Sequence, residues 1–123
     1  HVRYSSGPFT LVQGDALGLA PGTVQADAWY DRAAMIALPD GMRTAYVEQL
    51  RQQTKPGAVG LLITYAYPPQ EMDGPPFALL DEDVHRHFAE GFEVEQLAKI
   101  DREDERDRGL SWITSSVFKL IRT

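Results

Sequence analysis

The chain has 123 residues, of which 43% are apolar and 24% are charged, a size and composition typical of one globular domain. Twelve Lys and Arg stand against 18 Asp and Glu, and the net charge of -6 disfavours a nucleic-acid partner, because binding phosphates requires clustered cations. The absence of Cys excludes disulfides and thiolate chemistry and fits a reducing compartment, and the longest apolar run, Ala58 to Ala66, is too short to span a bilayer.

Three β-prone runs are predicted to form strands of one parallel sheet, because each ends at polar residues. Phe9 to Gln13 ends at Gly14-Asp15 and is predicted to be a buried strand that closes in a turn. Ala26 to Tyr30 repeats this pattern and ends at Asp31. Ala58 to Tyr65 is apolar on both alternating faces, which predicts a central strand covered by helices on both sides.

A helix is predicted between the second and third of these strands. Its apolar side chains recur at helical spacing at Met42, Ala45, Tyr46 and Leu50. Asp40 is the predicted N-cap, and Lys55-Pro56-Gly57 is the predicted stop. Together the three elements form a strand-helix-strand unit.

The C-terminal half is predicted to hold a rigid loop, a short helix and two further strands. Tyr67 to Pro76 contains four prolines and a glycine and is predicted to be a loop over the carboxyl edge of the sheet. Asp81 is predicted to cap a helix that carries Val84 and Phe88. Phe92 to Leu97 alternates as an edge strand does, and Val117 to Ile121 is predicted to return antiparallel. Between them, every residue from 101 to 108 is charged.

Four sequence motifs resemble those of the thiopurine S-methyltransferase family of S-adenosylmethionine-dependent enzymes: Gln13-Gly14-Asp15, Asp27 to Ala34, Gly74-Pro75-Pro76-Phe77 and Asp104-Glu105-Arg106. The resemblance covers nearly the whole chain. It implies an α/β, class I methyltransferase-like (Rossmann-like) fold, with a mostly parallel sheet and a C-terminal antiparallel strand. The family's cofactor-binding glycine-rich loop is expected before residue 1. We therefore expect residues 1–123 to be the C-terminal portion of a single methyltransferase domain, with its N-terminal part missing.

Asp15 and Arg32 follow predicted strands, and the carboxyl ends of strands are where ligands bind in α/β sheets. The Asp15 carboxylate can accept a hydrogen bond from an exocyclic amine, or it can simply cap a turn. An arginine at a strand end is costly to bury unpaired, so Arg32 should face a pocket or an anion, unless it forms a surface salt bridge with Asp31 or Glu71. The resemblance implies that Asp15 and Ala16 contact the adenine of S-adenosylmethionine.

The resemblance also implies that Arg32 lies beside both the cofactor and the incoming substrate, as a catalytic residue. It implies a catalytic and substrate-binding role for Arg106, which would hold anionic substrates, although a charge in such a run can also be simply solvated. Phe77 is expected to form a wall against an aromatic sulfur substrate, or else to anchor its loop to the core. Trp29 and Tyr30 are predicted to belong to the core.

No metal site is predicted. His85 and His87, together with Asp83, have the composition of metal ligands, but positions i and i+2 of a helix point apart and no third ligand is in view. The cofactor implied by the resemblance is S-adenosylmethionine, and the implied partner is a small-molecule thiol or chalcogen substrate, with no nucleic acid and no membrane.

The function implied by the resemblance is methyl transfer from S-adenosylmethionine to a thiol, a thiopurine, or a selenium or tellurium nucleophile. We expect a cytoplasmic protein that is a monomer when complete. Two alternatives stay open. The chain can be a non-catalytic fragment or binding domain that lacks the cofactor loop, or it can belong to a related methyltransferase that uses another acceptor, such as halide.

Overall fold

The computed structural model describes residues 1–102 and 109–123. This part of the chain contains six strands, two α-helices and two 3-10 helices, the latter at Met35–Ala37 and Pro69–Glu71. No helix in it is long and apolar enough to cross a membrane. The strands and α-helices are β1 (Val2–Ser6), β2 (Phe9–Gln13), β3 (Ala26–Asp31), α1 (Asp40–Gln52), β4 (Thr54–Ala66), α2 (Asp81–His87), β5 (Phe92–Asp101) and β6 (Thr114–Arg122).

Four strands form one mixed sheet in the order β3-β4-β6-β5. β3 pairs parallel with β4, whereas β6 runs antiparallel to both of its neighbours, β4 and β5. Three strands therefore point in one direction, and the last strand of the chain is inserted between two of them in the opposite direction. This confirms the predicted α/β fold with a C-terminal antiparallel strand, the internal position of β4 and the edge position of β5.

The prediction for the first apolar run is partly wrong. Residues 9–13 do form a strand, β2, but it pairs antiparallel with β1 in a separate two-stranded sheet. Phe9 and Leu11 are 73% and 70% exposed, so the strand is not buried. An apolar run predicts burial only where a second layer covers it, and the described residues place no such layer over these two side chains.

The hydrophobic core lies between one face of the mixed sheet and the two α-helices. Leu62 of β4 and Phe118 and Leu120 of β6 point into it, where they meet Val47 of α1 and Val84 of α2. The alternate side chains of β4 face the other way. Val59 and Leu61 are 38% and 39% exposed there.

The prediction that helices cover both sides of β4 is therefore wrong for the described residues. The strand is apolar on both faces, but only one face is packed beneath helices. The open face is the one that carries the candidate site.

Both predicted helix caps are displaced by one residue. Pro39 is the N-cap of α1 and Leu80 that of α2, so Asp40 and Asp81 are the first helical residues. The side chain that caps α2 is Asp83, which accepts a hydrogen bond from the Leu80 backbone N–H at 3.1 Å. The predicted helix stop at residues 55–57 is also wrong, because the helix ends earlier and these residues already belong to β4.

Candidate functional site

The end of β3 turns one acidic side chain inward and leaves the next side chain, a basic one, outside. Asp31 is 4% exposed, and its carboxylate accepts hydrogen bonds from the backbone N–H groups of Ala34 at 2.9 Å and Met35 at 3.3 Å. The Tyr46 hydroxyl of α1 donates a further hydrogen bond to it. Burial raises the pKa of Tyr46 above its usual value, and this hydrogen bond raises it further, so the phenol stays protonated. The turn that follows β3 is thereby fixed.

Arg32 is exposed and lines a cleft of about 480 Å³ on the open face of the sheet. Within the described part of the chain, Arg32 makes no ion pair and no side-chain hydrogen bond. The alternative salt bridge is not formed there, because Asp31 is engaged in the turn and Glu71 accepts hydrogen bonds from Ser111 instead. Arg32 therefore lines a cavity and forms neither of the two alternative salt bridges among the described residues.

The walls of this cleft are mainly apolar. β4 and β6 supply its floor, with Ile63 paired opposite Val117 and Tyr65 paired opposite Ser115. The nine lining residues are Arg32, Ala33, Ile36, Ile63, Tyr65, Ile100, Arg102, Ser115 and Val117. The two arginines are the charged side chains among these nine residues, and most of the others are apolar.

The proline-rich loop is tied to the turn that carries Arg32. The Phe77 N–H donates to the Ile36 carbonyl at 2.7 Å, and the Tyr67 hydroxyl donates to the Pro76 carbonyl at 2.6 Å. The peptide bonds before Pro75 and Pro76 are both cis. Phe77 itself is half-buried and lines a second, smaller pocket of about 180 Å³ rather than the arginine cleft. The structure thus joins the loop to the site through its backbone and does not bring the Phe77 ring to Arg32.

A buried arginine, which the sequence analysis missed, holds this loop. Arg43 of α1 is 1% exposed and donates to the carbonyls of Ala78 at 2.9 Å and Phe77 at 3.2 Å. Burial lowers the pKa of Arg43, and the charge of Asp40 acts in the opposite direction. No sequence signal marks this residue, because an arginine within a helical repeat is expected to be solvated.

Asp15 and Ala16 lie in an exposed turn after β2. One carboxylate oxygen of Asp15, Oδ1, accepts from the Leu17 N–H at 2.9 Å, which is the turn-capping arrangement considered above. The other oxygen, Oδ2, lies over Gly18, where a Cβ atom would approach it to 3.3 Å. Gln49 of α1 donates to the carbonyl of Leu17 at 3.3 Å, so the turn is connected to α1. The described contacts do not join Asp15 or Ala16 to Arg32.

The remaining predicted residues have varied outcomes. Trp29 packs against the core, with its ring 5.6 Å from that of Phe92, as predicted. Tyr30 is 64% exposed, so its assignment to the core is wrong; alternation along β3 sends it to the open face.

Arg106 lies outside the described residues. Within the described ranges, no cluster of three or more acidic residues and histidines could hold a metal ion.

Arg102 is the cleft residue that sequence reasoning did not select. It follows β5, and its backbone N–H donates to the Ile113 carbonyl at 2.9 Å. Its guanidinium group donates to the Tyr65 hydroxyl at 3.3 Å and lies 5.6 Å from the centre of that ring. Within a run of eight charged residues, nothing in the sequence separates it from its neighbours.

Comparisons with known proteins agree on the family and the fold. Thiopurine S-methyltransferase from Shewanella pealeana is 43% identical over 127 residues, which cover 99% of this chain and 58% of that protein. The chain thus spans a little more than half the length of this curated relative.

Two solved structures share the fold at low identity. A SAM-dependent methyltransferase from Methanosarcina mazei matches 89% of this chain and 65% of its own, with a TM-score of 0.64 and 14% identity. Human N-acetylserotonin methyltransferase, solved in complex with SAM, matches 90% of this chain and 33% of its own, with a TM-score of 0.58 and 14% identity. A family model described as Thiopurine S-methyltransferase (TPMT) matches residues 1–123. The chain belongs to the thiopurine S-methyltransferase family.

Proposed function

We propose that the whole protein transfers a methyl group from S-adenosylmethionine to a thiol, a thiopurine, or a selenium or tellurium nucleophile. The observation that carries this proposal is the match of the family model to residues 1–123, which include Arg32 in the lining of a mainly apolar cleft. An acceptor with a soft nucleophilic atom fits this setting. Such an atom needs no strong base once it is ionised, and among the described residues the cleft is lined by no carboxylate or histidine.

The residues present are compatible with part of the binding site for S-adenosylmethionine. When bound, this cofactor supplies a methyl group on a positively charged sulfonium sulfur, which departs as a neutral thioether. Asp15 is exposed, and its Oδ2 atom is available to accept a hydrogen bond from the exocyclic amine of an adenine. The absence of a side chain at Gly18 keeps this oxygen unobstructed, since a Cβ there would come within 3.3 Å of it.

Arg32 would act on the acceptor by electrostatic stabilisation. A guanidinium in the lining of an apolar cleft favours the thiolate over the thiol, and the proton of the thiol leaves to solvent. The acceptor sulfur then gains the methyl group and loses its negative charge. Positioning and charge stabilisation would account for most of the catalysis, as expected for a soft nucleophile.

The test is a methyl-transfer assay on the whole protein, with S-adenosylmethionine and an aromatic thiol as substrates. Arg32→Met keeps much of the side-chain bulk and removes the charge. Loss of a charge-assisted hydrogen bond should cost on the order of 1.5 to 3 kcal/mol, or roughly ten- to 150-fold in kcat/KM. Arg86→Met is the matched control, because Arg86 is exposed on α2 and pairs with Asp83 away from the cleft.

Unchanged kcat/KM in Arg32→Met, accompanied by a lower melting temperature, would refute the role given to this residue. Iodide in place of the thiol tests the alternative acceptor. Methylation of iodide without turnover of any thiol would contradict the proposed acceptor class. The absence of methyl transfer to every acceptor, with intact folding, would support a non-catalytic chain.

A further inference from the structure

The turn that carries Asp15 is held in place by side chains of α1. Residues 14–25 join β2 to β3 and contain no strand or helix. Gln49 of α1 donates from its Nε2 atom to the carbonyls of Leu17 and Leu19, at 3.3 Å each. Leu17 is also the residue whose backbone N–H binds the Asp15 carboxylate. Gln49 therefore contacts the turn at the residue that fixes Asp15.

The C-cap of α1, Gln53, lies one turn after Gln49 and extends this contact. Its Nε2 atom donates to the Ala20 carbonyl at 2.9 Å, and its Oε1 atom accepts from the Val24 N–H at 2.8 Å. The same Nε2 atom also donates to Oε1 of Gln49 at 3.4 Å. The two amides thus form one network in which each Nε2 atom has two acceptors, the number that its two N–H groups can bind. A side chain without an amide group cannot replace either one.

Backbone hydrogen bonds attach the same segment to the end of α1 independently of these side chains. The Gly22 N–H donates to the Gln52 carbonyl at 3.1 Å, and the Ala26 N–H donates to the Gln53 carbonyl at 2.9 Å. Substitution of a glutamine side chain leaves these two bonds in place. The side-chain amides act instead on residues 17–20, the part of the segment closest to Asp15 in the sequence.

α1 supports the two parts of the proposed site at different points along its length. Near its start, Arg43 donates to carbonyls of the proline-rich loop, and Tyr46 donates to the carboxylate that fixes the turn after β3. Near its end, Gln49 and Gln53 hold the segment that carries Asp15. Loss of the two glutamine amides should therefore affect the Asp15 turn and leave the arginine cleft unchanged.

We propose that Gln49 and Gln53 are positioning residues for S-adenosylmethionine. They fix the turn from which Asp15 presents its Oδ2 atom to the exocyclic amine of the adenine. This inference rests on the proposed function, in which Asp15 accepts that hydrogen bond. Asp15 is exposed, and an exposed turn without these contacts would have to be ordered when the cofactor binds. Ordering the turn in advance removes that entropic cost and so increases the affinity for the adenine end of the cofactor.

The experiment measures the dissociation constants of two ligands by calorimetric titration of the whole protein. S-adenosylhomocysteine carries the exocyclic amine, whereas S-inosylhomocysteine has a carbonyl oxygen in its place. Neither ligand has a methyl group to transfer, so binding is measured without turnover. The unmodified protein should bind the adenosine form about three- to thirtyfold more tightly, which is the effect of a hydrogen bond to a charged group discounted for exposure. Asp15→Ala should abolish this preference.

Gln49→Met and Gln53→Met keep the length of each side chain and remove its amide. Together they should lower the preference for the adenosine form by about two- to fivefold, because the loss of neutral hydrogen bonds loosens the turn without removing Asp15. Most of the change should appear in the Kd of S-adenosylhomocysteine. Gln52→Met is the matched control. The Gln52 amide donates to Glu48 of the same helix at 3.1 Å rather than to the turn, and its loss should leave the preference unchanged.

A merely structural role for the two glutamines would weaken the binding of both ligands equally or lower only the melting temperature. An unchanged preference in the double variant, with thiol methylation retained, would therefore overturn the inference and leave the proposed function standing. A preference that survives Asp15→Ala, or equal binding of the two ligands by the unmodified protein, would overturn it as well. If the double variant does not fold, each single variant gives the same comparison. Binding of neither ligand by the unmodified protein would instead refute the proposed function.

Discussion

Replacing Tyr46 with Phe tests how much the buried Asp31 turn contributes to the stability of the protein. The substitution removes one O–H donor from a carboxylate that is 4% exposed, and it leaves the ring in place. The two backbone donors, Ala34 and Met35, remain, so the charge keeps partners. A hydrogen bond to a charged group contributes about 1.5 to 3 kcal/mol. Because the two other donors remain, we expect a loss near 1.5 to 2 kcal/mol in the free energy of unfolding.

The measurement is equilibrium unfolding of the whole protein in urea, where this loss corresponds to a fall of roughly 0.5 to 1 M in the midpoint. Tyr30→Phe is the matched control. Tyr30 precedes Asp31 on β3, is 64% exposed and makes no hydrogen bond through its hydroxyl with another described residue. Loss of this hydroxyl should change the free energy of unfolding by less than about 0.5 kcal/mol.

The pH dependence gives a second readout for the same variant. The pKa of Tyr46 is raised in the folded state by burial and then by Asp31, relative to its unfolded value near 10. The contribution of the phenol to stability is therefore complete below pH 10 and declines as the pH rises further. The difference between Tyr46→Phe and the unmodified protein should shrink above that pH. Equal stability of the two proteins at neutral pH would refute the reasoning.

Two further predictions concern packing and the proline loop. Gly60→Ala should destabilise the protein by about 1 to 3 kcal/mol, because the new Cβ would lie 2.0 Å from the Trp29 indole, whereas Gly41→Ala, with nothing within 4 Å, should be neutral or stabilising in thermal unfolding. Glu71→Gln should increase proteolytic cleavage of the loop at pH 7. Two hydrogen bonds from Ser111, the stronger from its side chain and the weaker from its backbone N–H, lower the pKa of Glu71 below 4.5. The contribution of the Glu71 carboxylate to holding the loop is therefore complete above pH 4.5 and is lost as the pH falls further. Equal cleavage of the two proteins at pH 7 would contradict this account.

Elements defined by periodicity were predictable from the sequence. The helical spacing that ends at Leu50 identified α1, and the apolar run from Ala58 identified β4 as an internal strand. The expectation that Arg32 faces outward from a strand end also came from the sequence, and the structure buries Asp31 and exposes Arg32. These features depend on local geometry, which is why sequence patterns report them.

Features that depend on distant partners were not predictable. Phe9 to Gln13 has the composition of a buried strand, but its burial depends on a covering layer that the described residues do not supply. Tyr30 was assigned to the core, but it points to the face of the sheet that no helix covers among the described residues, and it is 64% exposed there. Arg102 was hidden in a charged run, and only its position beside Tyr65 distinguishes it. In each case the deciding partner is remote in sequence.

The cleft itself is a product of such distant pairing. Arg32 leaves β3 early in the chain, but two of the side chains that face it, Ser115 and Val117, come from β6 near the end. β6 can supply these two side chains because it runs antiparallel between β4 and β5. This pairing sets Val117 beside Ile63 on the same face of the sheet. A parallel strand at the edge would leave that floor incomplete. The inserted antiparallel strand therefore completes the apolar floor beside the motif near residue 32, and this floor together with Arg32 supports the acceptor chemistry we propose.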